Sequence, residues 1–569
     1  MLLRPVCSLG LGLAAGLLSA CYSDSSGTRP PSDEFYFPVG VAVSKGGGVL
    51  YVANSDFDLQ YNGGTLQSYD LLGIREHTAR TMANPADPAL PLVYPPSTAQ
   101  CSLGSIPVYR GDGSGTRQAI GQTCAPPVQS HPYLRDSAVV SAFATDLRLS
   151  TSGNRLFFPV RGNASVMWAD VVPDDSTQVA SSANFSMDCG VRIDGRCDAL
   201  HQAGVVATEP GNTRGLTLPG EPFGMAFLPD DTGIALTHQT ATYTSFVLSG
   251  LDPTGTRLSS PSLQYVTDGV PNGGNGIASV PHDPDAYPEC ALDGASEGCM
   301  RTNPRPAFLQ TSRSAGSLVL LRHYNDDGTK GASSQYRPYL VPERTFNLAA
   351  TSVGFDLRGI AFDASCRVAC RARISAGLSD IDQRNAKTEC ARLPARVFVA
   401  NRSTSNSYGS LLVGEVGQVR RDGTFDADEF RQITTIPMLG GPSRVHLAPI
   451  VDVDGNLTLK VFVVGFDSNR ITIVDPVSLR VETSVIVGQG PYALAFDPFT
   501  ESDAAARKTV EVDPRIQAPL SVLRYQFAYV ASFTNSYIQV IDLNNAGQSP
   551  TFGKVVFTLG APIYPKGTL

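Results

Sequence analysis

The chain has 569 residues, of which 42% are apolar, and it contains 54 glycines and 41 prolines. This composition indicates many short strands joined by turns, and helical periodicity is almost absent. The formal net charge is −8 and no basic run occurs, so the charge offers no basis for nucleic-acid binding. Length alone would suggest about three or four domains, but a repeat architecture can place the whole chain in one closed unit.

Residues 1–20 predict a cleaved export signal. Arg4 supplies the positive start, and residues 9–18 form an apolar stretch too short to cross a bilayer. The end of this segment, Leu18-Ser19-Ala20-Cys21, resembles the bacterial lipobox, in which the signal is cut before a cysteine that is then acylated. An ordinary signal peptide followed by an unrelated cysteine is the alternative.

The residues after Cys21 predict a membrane-anchored location. Residues 21–34 are rich in Ser, Pro, Gly and Asp, which predicts a flexible tether. Several acyl chains on Cys21 would hold the mature chain stably on a membrane. Tyr22, in place of the Asp that retains such proteins at an inner membrane, favours the outer membrane, on its periplasmic or its surface face. We therefore expect a lipid-anchored protein of the bacterial cell envelope.

Residues 461–498 contain one complete repeat unit that runs into the next. Residues 461–464 and 470–475 predict a hairpin, because β-branched and aromatic runs flank an Asp-Ser-Asn turn. Asp475-Pro476 ends the second strand, residues 480–487 supply a third, and residues 492–496 begin another after a glycine turn. Four short antiparallel strands at a fixed interval are typical of a β-propeller blade.

The same pattern can be laid over the whole chain in seven copies. Their first strands begin at residues 37, 146, 222, 275, 358, 442 and 491. Copy two has degenerate turns and copy four is the weakest. We therefore expect an all-β chain in which residues 35–569 form a single propeller, with seven blades of four antiparallel strands.

Four short motifs resemble the YVTN-type propeller repeats, in which a Tyr-Val-Thr/Ala-Asn strand precedes a strand ending in Val-Ile-Asp. The motifs are Tyr51-Val52-Ala53-Asn54, Phe398-Val399-Ala400-Asn401, Ile473-Val474-Asp475 and Val540-Ile541-Asp542. The resemblance spans most of residues 37–560, is specific in copies one, five, six and seven, and is only suggestive in copies two to four. It implies a seven-bladed propeller, with six or eight blades left open by copy four. The motif residues themselves are expected to build blades and to carry no chemistry.

Long insertions interrupt the repeats at residues 72–142, 172–219, 281–306, 363–395 and 499–524. Those in copies four, five and seven fall between the first and second strands, and such connections leave one face of the ring. This face is expected to carry a layer of disulfide-pinned loops that forms a binding surface or caps the channel. Drift in surface loops, which tolerate insertion at low cost, is the alternative.

The cysteines fit an exported protein. Eleven cysteines less Cys7 and Cys21 leave nine, which should mostly pair. The simplest local pairings are Cys101 with Cys124, Cys189 with Cys197, and Cys290 with Cys299. Cys366, Cys370 and Cys390 form a group of three, for which we expect one disulfide and one buried thiol. A metal site there is disfavoured, because no histidine lies nearby and the spacing fits no zinc pattern.

Candidate ligand-binding residues follow from position in a propeller. First strands line the channel, so their starting residues ring one mouth. These residues are Val39, Asp146, Phe223, Asn275, Arg358, Arg444 with His446, and Tyr492. Among them Asp146, Asn275, Arg358, Arg444, His446 and Tyr492 are the predicted site for a polar or anionic ligand. A merely hydrated channel rim is the alternative.

Other constellations predict no chemistry. Of the seven histidines only His446 lies in a first strand, which argues against a multi-histidine copper site. Asp452-Val-Asp-Gly-Asn456 has the composition of a calcium loop, but Lys460 replaces the expected Glu, so a hairpin turn is the better interpretation. No strand–turn–helix nucleophile elbow is visible. We predict no catalytic residue, metal or cofactor.

The functional expectation is a binding or scaffolding propeller on the cell envelope. Its partners would be the membrane, through Cys21, and an envelope protein or a small polar or anionic molecule. This expectation rests on fold analogy and on the lack of a catalytic constellation. The alternative is a propeller enzyme, a lactonase-like hydrolase or an envelope oxidoreductase, that uses the channel mouth near Arg358, Arg444 and His446.

Overall fold

The predicted seven-bladed β-propeller is confirmed. The computed structural model describes residues 27–83, 105–107, 117–119, 127–175, 178–288, 305–325, 337–348, 355–402, 408–421, 423–498 and 527–561. These residues form seven antiparallel sheets of four strands arranged in a ring, and each sheet is one blade. The predicted signal peptide, Cys21 and most of the tether lie outside the described residues.

The blades follow one another along the chain, and strands are numbered within each blade from the channel outwards. Blade 1 consists of Pro38–Val43, Val49–Asn54, Gly64–Asp70 and Leu134–Val140; blade 2 of Arg148–Leu149, Arg155–Val160, Ser165–Asp170 and Gln202–Ala203; blade 3 of Pro222–Phe227, Gly233–His238, Thr244–Leu248 and Ser262–Thr267; blade 4 of Gly274–Ser279, Ala307–Ser312, Ser317–Asn325 and Pro338–Asn347; blade 5 of Leu357–Asp363, Ala395–Asn401, Tyr408–Val419 and Phe425–Leu439; blade 6 of Pro442–Val451, Leu457–Gly465, Arg470–Asp475 and Arg480–Ile486; and blade 7 of Pro491–Phe496, Phe527–Ser532, Tyr537–Asp542 and Val555–Leu559.

Apolar cores lie between adjacent blades. The second and third strands are the most buried, as in Phe527–Ser532 and Tyr537–Asp542 of blade 7, where every residue is buried. A strand packed on both faces needs apolar residues at successive positions, which explains why these strands read as continuous runs. Each pair of neighbouring blades, including the pair of blades 7 and 1, shares its own cluster of buried side chains. This burial is the main favourable contribution to the ring.

The ring closes between blades 7 and 1. Phe35, Tyr69, Tyr529 and Phe557 are buried in the shared cluster. The short strand Pro127–Val128 runs parallel to the fourth strand of blade 7, which gives this sheet a fifth strand. The segment before blade 1 and the insertion within blade 1 therefore both pack against the last blade, so opening the ring here would expose a large apolar area.

Helices occur in the insertions. They are Leu71–Ala83 in blade 1, Ser182–Phe185 in blade 2, and Ser365–Arg371 and Asp380–Ala391 in blade 5, with short 3₁₀ turns at His131–Tyr133, Ala199–His201 and Pro284–Ala286. A pair of two short strands, Ser105–Pro107 and Arg117–Ala119, also lies in the blade 1 insertion. No helix of the described residues is long and apolar enough to cross a membrane.

All five insertions begin on the same face of the ring, and that of blade 2 also runs along the outer strand of blade 1, where the Cys197 N–H donates to the Val139 oxygen at 2.9 Å. Those of blades 4, 5 and 7 connect first to second strands, as predicted, and those of blades 1 and 2 connect third to fourth strands. In an up-and-down blade both kinds of connection emerge together, and we call this side the insertion face. Insertions from neighbouring blades bind one another there: the Arg371 guanidinium of blade 5 lies 2.6 Å from the carboxylates of Asp283 and Asp285 of blade 4.

Candidate functional site at the channel mouth

The side opposite the insertion face is the channel mouth, where the first strands begin. The register between first and second strands shifts near the start of the first strand in six of the seven blades, blade 2 being the exception. Such bulges turn backbone and side chains towards the axis. The close approach of neighbouring first strands requires glycine: a Cβ at Gly276 would lie 2.3 Å from the Arg358 carbonyl oxygen, and one at Gly359 would lie 2.5 Å from the Arg444 Cα.

A small cavity lies among the first strands. Its volume is about 40 Å³, and residues of blades 2 to 6 line it. The charged, amide and imidazole side chains in this lining are those of Asp146, Arg148, Asn275, Arg444 and His446. Each water needs roughly 10–15 Å³ measured in this way, so the cavity holds about three waters or one small functional group. Four of the six residues predicted as the site therefore line one cavity.

Arg444 reaches across the channel from blade 6 to blade 2. Its Nη1 donates to Asp146 Oδ1 at 2.7 Å and its Nη2 donates to the Thr145 carbonyl oxygen at 2.8 Å. The guanidinium carbon lies 4.5 Å from the centroid of the Tyr492 ring, within the range of a cation–π contact. Tyr492 in turn donates through its hydroxyl to the same Thr145 oxygen at 3.3 Å. Arg444 thus ties blades 2, 6 and 7 together at the mouth.

Asp146 is held as a carboxylate. Burial alone would raise its pKa, but the charges of Arg148 and Arg444 outweigh burial and hold the pKa below its ordinary value. Arg148 lies 3.1 Å from the Asp146 carboxylate, and its side chain is the more exposed of the two arginines. With two arginines, one aspartate and a neutral histidine, the cavity carries a net charge of +1.

Two polar groups of the cavity have no hydrogen-bond partner within the described part of the protein. They are the Asn275 amide nitrogen and the His446 Nε2. Burial, together with the nearby charges of Arg148 and Arg444, lowers the pKa of His446 to about 3, so its ring is neutral at physiological pH. Because a buried polar group left without a partner costs about 1–3 kcal/mol, these two groups mark a place for a bound polar molecule.

Arg358 does not line the cavity. Its guanidinium is paired with Asp356, with Nε 2.7 Å from Oδ1 and Nη2 donating to Oδ2 at 2.8 Å. The backbone of Gly359 and Ile360 contributes to the cavity instead. Tyr492 contributes through its contact with Arg444. Among the other residues at first-strand starts, Phe223 lines the cavity and Val39 packs in the core between blades 1 and 2.

Arg148 was not among the predicted site residues. In a strand, residues two apart share a face, so Asp146 in the channel implies that Arg148 points there too. The alternation was therefore a usable signal. Thr145, whose carbonyl oxygen binds Arg444, acts through its backbone and leaves no such signal in the sequence.

The cysteines are only partly as predicted. Cys189 and Cys197 form a disulfide, and Cys370 pairs with Cys390. Cys366 is the unpaired member of its group, and the expectation of a buried thiol is wrong, because Cys366 is exposed and contacts the Pro394 carbonyl oxygen at 3.4 Å. Cys101, Cys124, Cys290 and Cys299 lie outside the described residues.

Two other features of the sequence, the Asp452–Asn456 turn and His238, have structural roles. Asp452 accepts the N–H groups of Asp454 and Asn456 at 3.0 and 2.8 Å, inside the turn between the first two strands of blade 6. His238 is buried and bonded through both ring nitrogens to the Gly220 oxygen and the Ser245 hydroxyl. Across the part of the chain that the structure describes, no three His, Cys, Asp or Glu side chains lie together as metal ligands.

Comparison with known proteins gives likeness in fold only. No protein-family model and no curated protein sequence matches the chain. Similar solved structures include a putative 6-phosphogluconolactonase from Bacteroides uniformis ATCC 8492, with 12% identity over 82% of this chain and 89% of that chain and a TM-score of 0.38. The periplasmic gluconolactonase PpgL of Pseudomonas aeruginosa has 14% identity over 79% of this chain and 86% of that chain, with a TM-score of 0.37. Hydrazine synthase of Kuenenia stuttgartiensis has 9% identity over 91% of this chain and 98% of that chain, with a TM-score of 0.39.

Proposed function

We propose that the chain is a lipid-anchored binding propeller of the bacterial envelope, of the YVTN-like repeat type, whose channel mouth takes a polar or anionic group. The observation that carries the proposal is the pair of unpartnered groups, Asn275 Nδ2 and His446 Nε2, in a cavity that also contains two arginines. Asn275 is 6% exposed, so bulk water does not satisfy its amide. A ligand oxygen there would gain a donor without having to displace a protein partner.

The cavity limits the size of what enters. At about 40 Å³ it admits a carboxylate or a similar group, whereas whole small-molecule pockets are typically about 300–1,000 Å³. The bound molecule therefore inserts one polar end, and the rest of it lies on the rim. This geometry suits the acidic tip of a protein partner as well as a small carboxylic acid, and both fit a binding or scaffolding role.

A propeller enzyme at the same mouth is the second candidate. Asn275 and Arg148 would hold a carbonyl oxygen by hydrogen bonds. General acid–base catalysis works best when the pKa of the catalytic group lies near the working pH. The pKa of His446 is lowered to about 3 and the arginines hold the pKa of Asp146 low, so both groups are weak bases near neutral pH. Binding is therefore the better-supported function, and hydrolysis of an aldonolactone by the purified chain is the assay for the enzyme.

The test of binding uses the full-length protein purified in detergent. Thermal shift and calorimetry with acetate, gluconate, phosphate and acidic peptides should show stabilisation of the wild type that is lost in Asn275→Ala and weakened in Arg148→Ala. Arg402→Ala is the matched control, because Arg402 pairs with Asp467 on the same face at 2.8 Å and does not line the cavity. If no probe stabilises the wild type, and capture of envelope partners is unchanged by Asn275→Ala, the proposal is wrong.

A further inference from the structure

The loop that joins the second and third strands of blade 1 has an inverted polarity. Phe57 is 50% exposed and Leu59 is 45% exposed, while Asp56 between the strand and Phe57 is 0% exposed. Asp58, the next acidic residue, is also turned inward and only partly exposed. A loop in water would be expected to do the opposite, with carboxylates outside and apolar side chains inside.

This inverted arrangement is held in place by specific bonds. The Asp58 carboxylate accepts the Tyr36 hydroxyl and, at 2.7 Å, the Gln60 amide. Asp56 Oδ1 accepts the Tyr61 N–H at 3.2 Å, and its other oxygen has no partner among the described residues. Asp56 and Leu59 both have a left-handed backbone, with φ of 50° and 54°. Bonds and strained backbone together hold Phe57 and Leu59 outward, and strain of this kind is commonly retained at functional sites.

A second loop beside the first has the same inversion. In the hairpin closed by the Cys189–Cys197 disulfide, Val191 and Ile193 are each 74% exposed. Arg192 between them points inward, and its two terminal nitrogens donate to the Asp136 carboxylate at 2.6 and 2.8 Å. The two loops touch, because Arg196 of the hairpin donates to the Asn62 carbonyl oxygen at 2.7 Å.

The N-terminal segment leaves the protein between these two loops. The Asn62 N–H donates to the Thr28 oxygen at 2.9 Å, and Arg29 lies 2.6 Å from Asp194 of the disulfide hairpin. Six residue steps separate Gly27 from Cys21. At about 3.5 Å per fully extended residue, that distance is at most about 20 Å. A lipid on Cys21 would hold both apolar loops within this distance of the bilayer surface.

We propose that Phe57, Leu59, Val191 and Ile193 form a membrane-docking surface that inserts into the lipid headgroup region and orients the propeller with the outer edge of blade 1 and the adjoining rim of the channel mouth towards the bilayer. This surface contacts lipid, because the short tether to Cys21 holds it close to the bilayer. This inference rests on the lipid anchor of the proposed function.

The charges beside the docking surface indicate the kind of lipid. Arg29, Arg192 and Arg196 are outnumbered by Asp56, Asp58, Asp136, Asp188 and Asp194. An excess of acidic side chains gives no electrostatic preference for anionic headgroups, so insertion of the apolar side chains provides the binding. Zwitterionic phosphatidylcholine vesicles should therefore bind as well as vesicles that contain phosphatidylglycerol.

The test uses tryptophan as a depth probe. The chain has one tryptophan, Trp168, which is buried, so a new tryptophan can be followed. The full-length lipidated variant Phe57→Trp in vesicles that contain brominated phosphatidylcholine should show quenched, blue-shifted emission. Val477→Trp is the matched control, because Val477 is 80% exposed and lies between the third and fourth strands of blade 6, on the insertion face. It should stay unquenched.

Partition of an unanchored chain gives a second measurement. In the mature chain, residues 21–569 expressed without the signal and with Cys21→Ser, the double change Phe57→Ser and Leu59→Ser should lower vesicle partition about 25-fold, since burial of each half-exposed side chain contributes about fivefold. Val477→Ser should leave partition unchanged. The mass of the Cys21 peptide reports acylation separately, so loss of the anchor and loss of the docking surface are distinguishable outcomes.

Three outcomes would overturn the inference. The first is an unquenched Phe57→Trp variant on vesicles, whether the chain is anchored or free. Equal quenching of the Phe57→Trp and Val477→Trp variants would show that no face is preferred. In native envelopes, emission from Phe57→Trp that is blue-shifted but not quenched by brominated lipid would show that a protein covers the loops.

Discussion

Replacing Asp146 by asparagine, and separately Arg444 by methionine, should destabilise the propeller unequally. The two side chains are 5% and 14% exposed, and they join blade 2 to blade 6 across the channel. Asp146→Asn leaves Arg444 and Arg148 facing each other with no anion between them. Arg444→Met leaves Asp146 still paired with Arg148 at 3.1 Å, and the methionine replaces much of the aliphatic stem.

The size of the effect follows from burial and distance. Removing one partner of a buried ion pair lowers the free energy of unfolding by about 3–5 kcal/mol. We expect Asp146→Asn to fall in this range, because Arg148 and Arg444 both lose their negatively charged partner. Arg444→Met should cost about 1–3 kcal/mol, since its aspartate keeps a second partner. Charges about 4 Å apart interact by about 4 kcal/mol at an effective dielectric constant of 20, which sets a ceiling for the coupling. We expect a coupling of about 2–3 kcal/mol in the double-mutant cycle.

Urea unfolding of the two single variants and the double variant measures this coupling. Circular dichroism follows the sheets and fluorescence follows Trp168, which is 3% exposed in the core between blades 2 and 3. Coincident transitions establish that one cooperative step is being measured. A coupling below about 0.5 kcal/mol, or a cost for Arg444→Met that equals that of Asp146→Asn, would refute the assignment of Arg444 as a cross-channel tie.

Three further changes test other features. His446→Asn should reduce the loss of stability on acidification between about pH 6.5 and 3, because the unfolded histidine takes up a proton in this range while the buried one, with its pKa lowered to about 3, does not; an unaltered pH profile of urea unfolding would contradict this assignment. Gly359→Ala should lower the free energy of unfolding by about 1–3 kcal/mol or prevent folding, since the new Cβ would lie 2.5 Å from the main chain of blade 6. The control is Gly220→Ala, whose Cβ would have no other atom within 4 Å, and thermal unfolding of this variant should be nearly unchanged. Maleimide labelling followed by mass spectrometry should modify Cys366 in the folded protein, but slowly at pH 7, because partial desolvation of the sulfur in this exposed residue and the nearby Asp363 raise the pKa of the thiol; protection of Cys366 until unfolding would contradict its exposure.

Much of the fold was predictable because buried strands carry a strong apolar signal. The strands predicted at residues 461–464 and 470–475 are observed at Leu457–Gly465 and Arg470–Asp475 of blade 6. Fourth strands give a weaker signal. The fourth strand of blade 5, Phe425–Leu439, alternates exposed and half-buried residues on the rim of the ring. An outer edge strand is expected to be polar, so it lacks the apolar run by which inner strands are recognised.

Less of the candidate site was predictable, because orientation at the mouth depends on local partners. Arg358 is the second residue of its first strand, whereas Arg444 is the third residue of its own, the position that Gly359 occupies in blade 5. Asp356 precedes Arg358 by two residues and binds its guanidinium, whereas the residue two before Arg444 is Pro442, which offers no charge. Arg444 therefore extends to the carboxylate of blade 2. The nearby aspartate could have been read from the sequence, but the distance across the channel could not.

The Phe57 loop of the docking surface and the channel mouth lie on one face and are joined by packed aromatic rings. The Phe57 ring lies 5.3 Å from Phe533, and Phe533 lies 5.7 Å from Tyr492, which packs against Arg444. Contacts of this kind are worth about 0.5–1.5 kcal/mol each beyond their buried area, so the path is a rigid one. An anchored propeller would thus present its cavity to the narrow space beside the bilayer and leave the insertion face open to larger partners. The two proposals together place lipid beside the polar end of the bound ligand at one end of the channel.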